Sequence, residues 1–243
     1  MTDRTIDRTT GASHPGAARA ALAGLRPQPF GHGRPNRVDD PLVEPLWTGI
    51  RALAAIEAGT TELVDETGAA VDTQPDVQAA LAEAALADGL VIDGFLTKLA
   101  TRDGGGVYVS MDSLPSASQM VSRPLLGIRP THPEDAVKAL DAAREARTFG
   151  PDDTIRFVAI DLLWLEGESL LDVPLLERRR LLESVLVESD LVRRGIFVRP
   201  PINAWLGSWR SLGFAGLSYK PANSRYRPGA TSSDWITISM PRR

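Results

Sequence analysis

The chain has 243 residues, is 43% hydrophobic and 24% charged, and carries a net charge of −4, which is the profile of a globular protein large enough for one big domain or two small ones. It contains no cysteine, so disulfides and thiolate metal sites are excluded, and its three histidines (His14, His32, His132) are too scattered for a zinc site. No apolar run approaches the roughly 20 residues of a membrane helix. The N-terminus, Met1-Thr2-Asp3-Arg4, has no apolar signal core, so no membrane association and a cytoplasmic location are expected.

In chain order, residues 1–40 are rich in Gly, Ala, Pro, Arg and Thr without apolar periodicity, and are predicted to be a flexible tail, with order beginning near Leu42. Residues 41–243 form the expected domain. Trp47 to Glu57 reads as a strand, Ala58-Gly59 as a turn and Thr61 to Asp65 as the return strand of a hairpin. Asp76 to Ala87 is predicted as a helix capped by Asp76 and ended by Gly89. Strands are expected at Leu90 to Leu99 and Gly106 to Met111, and an amphipathic helix at Glu134 to Thr148. Thr154 to Leu165 is the strongest strand pattern. Pro174 to Glu188 is a helix with Leu175, Leu182 and Leu186 on one stripe. A short strand at Ile196 to Arg199, a helix at Ala204 to Leu212 and strands at Phe214 to Tyr219 and Trp235 to Ser239 complete the reading. Strands outnumber helices and no βαβ rhythm is present, so the predicted class is α+β, with mostly antiparallel sheets flanked by helices.

Charge is segregated. Residues 41–194 carry a net −12, residues 195–243 a net +6 and residues 1–40 a net +2. The C-terminal region interleaves Arg199, Arg210, Lys220, Arg225 and Arg227 with Trp205, Trp209, Tyr219, Tyr226 and Trp235. That mixture suits a DNA backbone and its bases; the alternative is that the aromatic residues are core.

Five segments carry a common resemblance. The first is Glu44-Pro45-Leu46-Trp47-Thr48-Gly49-Ile50-Arg51, and the second is Val91-Ile92-Asp93-Gly94-Phe95. The third and longest is Phe157 to Glu183, which includes Ile160-Asp161. The fourth is Leu212 to Lys220 with the following Tyr226-Arg227-Pro228-Gly229, and the fifth is Asp234 to Ser239. In this order, over roughly residues 42–240, they resemble the adenylation (nucleotidyltransferase) domain of ATP-dependent DNA ligases of the bacterial repair type. The resemblance implies the ligase-like fold, and the chain ends where a ligase would continue into its OB-fold domain.

The same resemblance shows what has been replaced. The family's nucleophilic lysine is Leu46, and its nearby aspartate is Thr48. Two carboxylates that serve metal and nucleotide are Phe95 and Ala215, and two phosphate-binding lysines are Thr237 and Ser239. Transfer of AMP from ATP needs an amine nucleophile, metal and cations against developing charge. Their joint loss points to a catalytically inactive, pseudoenzyme form without catalytic residues of its own, retained for nucleotide, DNA or repair-protein binding. Gly49, Arg51, Ile160 and Lys220 match the positions that hold the nucleotide in the family, so ATP and Mg remain cofactors implied by resemblance. Against that stands a fold-only role, in which the glycines and Asp161 serve packing, Arg51 and Lys220 pair with acids, and side chains fill the cleft. The opposing enzymatic reading is an active ligase using Lys98 or Lys220 in place of Leu46; the chain's one other lysine, Lys138, reads as solvated.

Overall fold

The computed structural model describes residues 16–98, 149–150 and 153–240. The expected strand at Gly106–Met111 and helix at Glu134–Thr148 lie outside them. Two sheets face each other. The larger has six strands: β3 (Ile50–Glu57), β4 (Thr60–Asp65), β5 (Leu90–Thr97), β6 (Arg156–Leu165), β7 (Glu168–Ser169) and β8 (Val192–Arg194). Their order is β4-β3-β5-β6-β7, with β8 pairing parallel to β6. The smaller has β1 (Gly31–His32), β2 (Pro41–Pro45), β9 (Gly216–Pro221) and β10 (Ile236–Ser239), in the order β1-β10-β9-β2. Pairing is antiparallel except for β1–β10 and β6–β8. The class is therefore α+β, as the sequence implied.

The central strands are buried on both faces. One face of the six-stranded sheet presents Ala52, Ala54, Ile56, Leu90, Ile92 and Leu162 to α2 (Pro75–Ala84) and α3 (Leu175–Val185), which contribute Val77, Leu81 and Leu182. The alternate residues Leu53, Ala55, Val91 and Leu163 meet α1 (Ala17–Gly24) and Trp235 of the second sheet. A third cluster packs Val43, Leu217 and Ile236 under Trp209 of α4 (Asn203–Ser211). The period-2 alternation thus supplies two separate cores from one sheet.

Residues 16–40 are not a featureless tail. Ala18 and Leu22 of α1 are 0% and 1% exposed. The N–H of Gly16 donates to Glu57 Oε1 (2.8 Å) at the helix start, where a carboxylate is favourable. Their alanine spacing escapes a reading by composition because a single eight-residue helix supplies too short a period.

Helix α2 starts one residue early, with Pro75 in its first turn and Gln74 at the N-cap, so Asp76 lies inside the first turn instead of capping it. Its end is fixed by main-chain bonds to the segment after α3, Leu86 N–H to Val185 O and Val187 N–H to Ala84 O (2.8 Å each), and not by Gly89. The expected strand at Ile196–Arg199 reduces to one bridge, Val198 to Val43.

Asp161 on β6 locks α3 onto the sheet. It accepts two bonds from Arg178 (2.8 and 2.7 Å) and one from the Leu162 N–H (2.9 Å), and both charged side chains are 0% exposed. Arg178 spends its remaining donors on Val173 O (2.5 Å) and Ser224 O (3.2 Å), tying β6, α3 and the loop after β9 into one unit. Arg178→Ala strands a buried carboxylate and is expected to lower unfolding free energy by about 3–5 kcal/mol in urea denaturation. Arg180→Ala removes only the exposed pair with Glu177 and is expected to cost less than about 1 kcal/mol. Equal effects in the two variants would contradict the lock.

Candidate functional site

The five motif segments converge between the two sheets. Leu46 follows β2 directly; its N–H donates to Gly216 O (2.9 Å), and its side chain rests on the β9 backbone, where a Cβ on Gly216 would come within 2.9 Å of it. Gly49 has φ +125, and a Cβ there would lie 2.0 Å from Leu96 O. Gly94 faces Phe157, where a Cβ would lie 2.4 Å from Cζ. These close approaches alone require glycine, so both motif glycines have a packing role.

Each sheet contributes one buried ion pair. Arg51 of β3 stands opposite Phe95, and Asp93 opposite Leu53, which makes Arg51 and Asp93 diagonal neighbours on one face. Arg51 grips Asp93 bidentately at 2.9 and 2.6 Å. On the smaller sheet Glu44 stands opposite Ser218, and Lys220 opposite Leu42, a second diagonal pair. Lys220 Nζ donates to Glu44 Oε2 at 2.7 Å, with the two side chains 0% and 1% exposed. The guanidinium of Arg179 comes within 3.8 Å of the other Glu44 oxygen, while donating to Ile160 O (2.5 Å) and to Gly195 O.

Burial pushes the Lys220 amine below its ordinary value; Glu44 opposes that shift, and Arg51 and Arg179 reinforce it. For Arg51 burial works against the charge, but Asp93 more than offsets it and the value is raised. The Tyr226 hydroxyl extends the network, donating to Asp93 Oδ2 (2.7 Å) and accepting from Gln28 N–H (2.8 Å).

Aromatic and apolar groups occupy the remaining space. Ile160, 1% exposed, packs with Phe95 and Val158, and Phe30 and Trp47 close over them. Arg51 lies 5.0 Å from the Phe30 ring centre and 5.1 Å from that of Phe95. Lys220 lies 5.5 Å from the Phe30 centre and 4.6 Å from that of Trp235. Trp47 meets Phe214 edge-on at 4.9 Å.

Of the expected site residues, Arg51, Ile160 and Lys220 are thus brought together, and Gly49 shapes the adjoining backbone. Lys98 sits apart in an ion pair with Asp153 (3.3 Å). The residues present do not fit a phosphate-bound magnesium. Glu44 and Asp93 each accept from a buried cation, Phe95 and Ala215 bring no carboxylate, and among the described residues no group of three His, Asp or Glu side chains is assembled.

The C-terminal aromatics are core: Trp209, Tyr219, Tyr226 and Trp235 are 1%, 8%, 3% and 0% exposed. A base-stacking surface made from these four is therefore ruled out by their burial. Arg199 pairs with Asp40, and Arg225 with Asp172 at 2.6 Å. Residue types alone did not single out Glu44, Arg179, Phe30 or Gln28. A usable signal existed for the arginines, since Leu175, Arg178, Arg179 and Leu182 share one helical stripe and place two cations toward the core.

Comparison with known proteins agrees with this geometry. The family described as ATP dependent DNA ligase domain matches residues 132–238. The multifunctional non-homologous end joining DNA repair protein LigD of Mycobacterium tuberculosis is 28% identical over 193 residues, covering 79% of this chain and 21% of that protein. A DNA ligase of Thermococcus fumicolans is 34% identical over 82 residues, 32% of this chain and 15% of that protein. The solved ligase domain of M. tuberculosis LigD superposes with a TM-score of 0.58 at 25% identity, over 88% of this chain and 59% of that one. The chain spans about a fifth of the length of the LigD proteins it matches. No helix among the described residues is long and apolar enough to cross a membrane.

Burial and the Asp93 charge hold the Tyr226 hydroxyl well above 10.0, and burial also raises Tyr219. A folded value above the unfolded one gives stability that is complete below pH 10.0 and is lost as pH rises beyond it. Lys220 acts in the opposite sense, since its lowered folded value makes stability rise with pH up to 10.5. In an absorbance titration Tyr219 and Tyr226 should therefore stay protonated until the alkaline unfolding transition. Ionisation of all three tyrosines together near pH 10.0 with the fold intact would contradict the buried network.

Proposed function

We propose that this chain, similar over most of its length to the ATP-dependent ligase domain of LigD, is a ligase-like adenylation domain that no longer transfers nucleotides and serves DNA repair as a binding component. One observation carries the reading. Lys220, the lysine kept from the fourth motif, is fully buried and neutralised by Glu44 at 2.7 Å. The position of the family nucleophile holds Leu46, which has no lone pair to offer, and it is packed against Gly216.

Arg51 has the same fate as Lys220, being committed to Asp93 and covered by Phe30 and Phe95. A nucleotide triphosphate entering this space would have to displace two ion pairs and their aromatic cover. Exchanging a paired, buried cation for a new anion leaves a buried carboxylate behind, which is costly. The cleft thereby works as interior, and the partner surface lies outside it.

The exposed Arg225 and Arg227 of the loop after β9 can add phosphate contacts to DNA, because the exposed Arg225–Asp172 pair is weak and exchangeable. The link to repair comes from the LigD relatives, whose printed role is non-homologous end joining.

Incubation of the full chain with ATP and magnesium, followed by intact-mass analysis, is expected to show no AMP adduct. Leu46→Lys is expected to stay unmodified as well, since Phe95 and Ala215 supply no carboxylate and Lys220 stays with Glu44. An adduct on the wild-type chain would overturn the reading, and its location on Lys98 or Lys220 would establish the active-ligase alternative.

A further inference from the structure

We propose that residues 25–33 form a strap that closes the cleft from outside, with Phe30 as its plug, and that lifting this strap is the route by which Lys220 and Arg51 become accessible. The inference goes beyond the loss of catalysis, because it concerns access to the cleft and needs no chemistry there.

The strap spans the two sheets. On one side it continues from α1, whose Ala18 and Leu22 pack with Leu53 and Ala55 of the six-stranded sheet. On the other side Gly31 and His32 pair with Ile236 and Thr237 of β10 in the four-stranded sheet. Between these ends Phe30 sits over both cleft cations, 5.0 Å from Arg51 and 5.5 Å from Lys220, with its ring 5.9 Å from that of Trp235. The same ring therefore screens one ion pair from each sheet.

The strap lies flat and is held at few points. A Cβ on Gly31 would come within 2.9 Å of Ser232 O, and one on Gly33 within 2.8 Å of Ile236 Cγ2, so side chains there would lift it off β10. Gly31 N–H donates to Trp235 O (2.7 Å), Gln28 N–H to Tyr226 Oη (2.8 Å), Arg227 N–H to Gln28 Oε1 (2.7 Å) and Gly229 N–H to Arg26 O (3.2 Å). Pro27 and Pro29 flank Gln28 and supply no N–H, which keeps the number of anchoring bonds small and limits the backbone freedom gained on release.

Leu25 belongs to the core and anchors one end, but two features mark the middle of the strap as releasable cover. Phe30 is only partly buried, unlike Trp235 beneath it. Gln28 Nε2 is buried without a hydrogen-bond partner, a donor that water would satisfy once the strap lifts. Opening therefore returns a polar group to solvent and unpairs only the two-residue edge strand β1 from β10, leaving both ion pairs and the strands that carry them in place.

Lysine acylation tests this on the full chain, using acetic anhydride and peptide mass spectrometry, with the partly exposed Lys98 as internal reference. In the wild type Lys220 should react far more slowly than Lys98. Phe30→Ala and Gln28→Ala should each raise the Lys220 rate at least about tenfold while leaving the Lys98 rate unchanged. Should Phe30→Ala lose the fold, Phe30→Leu keeps apolar bulk without the ring face and carries the same comparison. A Lys220 rate unchanged in the folded variants, or equal to that of Lys98 in the wild type, would overturn the strap. Either result leaves the non-catalytic reading standing, whereas an AMP adduct would sink that reading without touching the strap.

Discussion

The burial of two complementary ion pairs, Glu44–Lys220 and Arg51–Asp93, is the constraint on which the space between the sheets depends. Each pair is a diagonal neighbour pair on its own sheet, so strand register alone brings the charges together. Isolated, any of these four groups would be too costly to bury; paired, they allow the sheets to meet. Phe30, Phe95 and Trp235 complete the seal by placing ring faces against the cations.

This arrangement gives a packing or pairing task to most of the motif residues around it. Leu46 packs against the β9 backbone, and Phe95 packs with Val158 and Ile160. Gly49 and Gly94 are tied to backbone approaches that no side chain tolerates. Asp161, beside the long third motif, anchors α3 through Arg178 and has no need of a nucleotide to explain it. These motif residues thus each have a structural task, and Arg51 and Lys220 have partners within the chain.

Much of the fold was legible in the sequence because period and punctuation agreed. The hairpin around Ala58-Gly59, the strand ending at Leu165 and the helix after Pro174 all appear within a few residues of their expected bounds. Short elements were less legible. Helix α1 and the two-residue β1 draw their stability from distant partners such as Leu53, Glu57 and Trp235, and no local period encodes these. In the site, Arg51 and Lys220 were marked by motif, but Glu44 and Asp93 become their counterions only through cross-strand register, and Phe30 reaches the cleft from a segment whose composition suggested a tail. For the tryptophans and tyrosines near the C-terminus the sequence left a stacking surface and a core role open, because composition gives proximity in sequence and not the direction of a side chain.

A cleft that neutralises its own cations needs no polyanion to complete it. Calorimetric titration of the full chain with ATP and magnesium tests that claim most directly: the account predicts no saturable heat, and stoichiometric, saturable binding would contradict it.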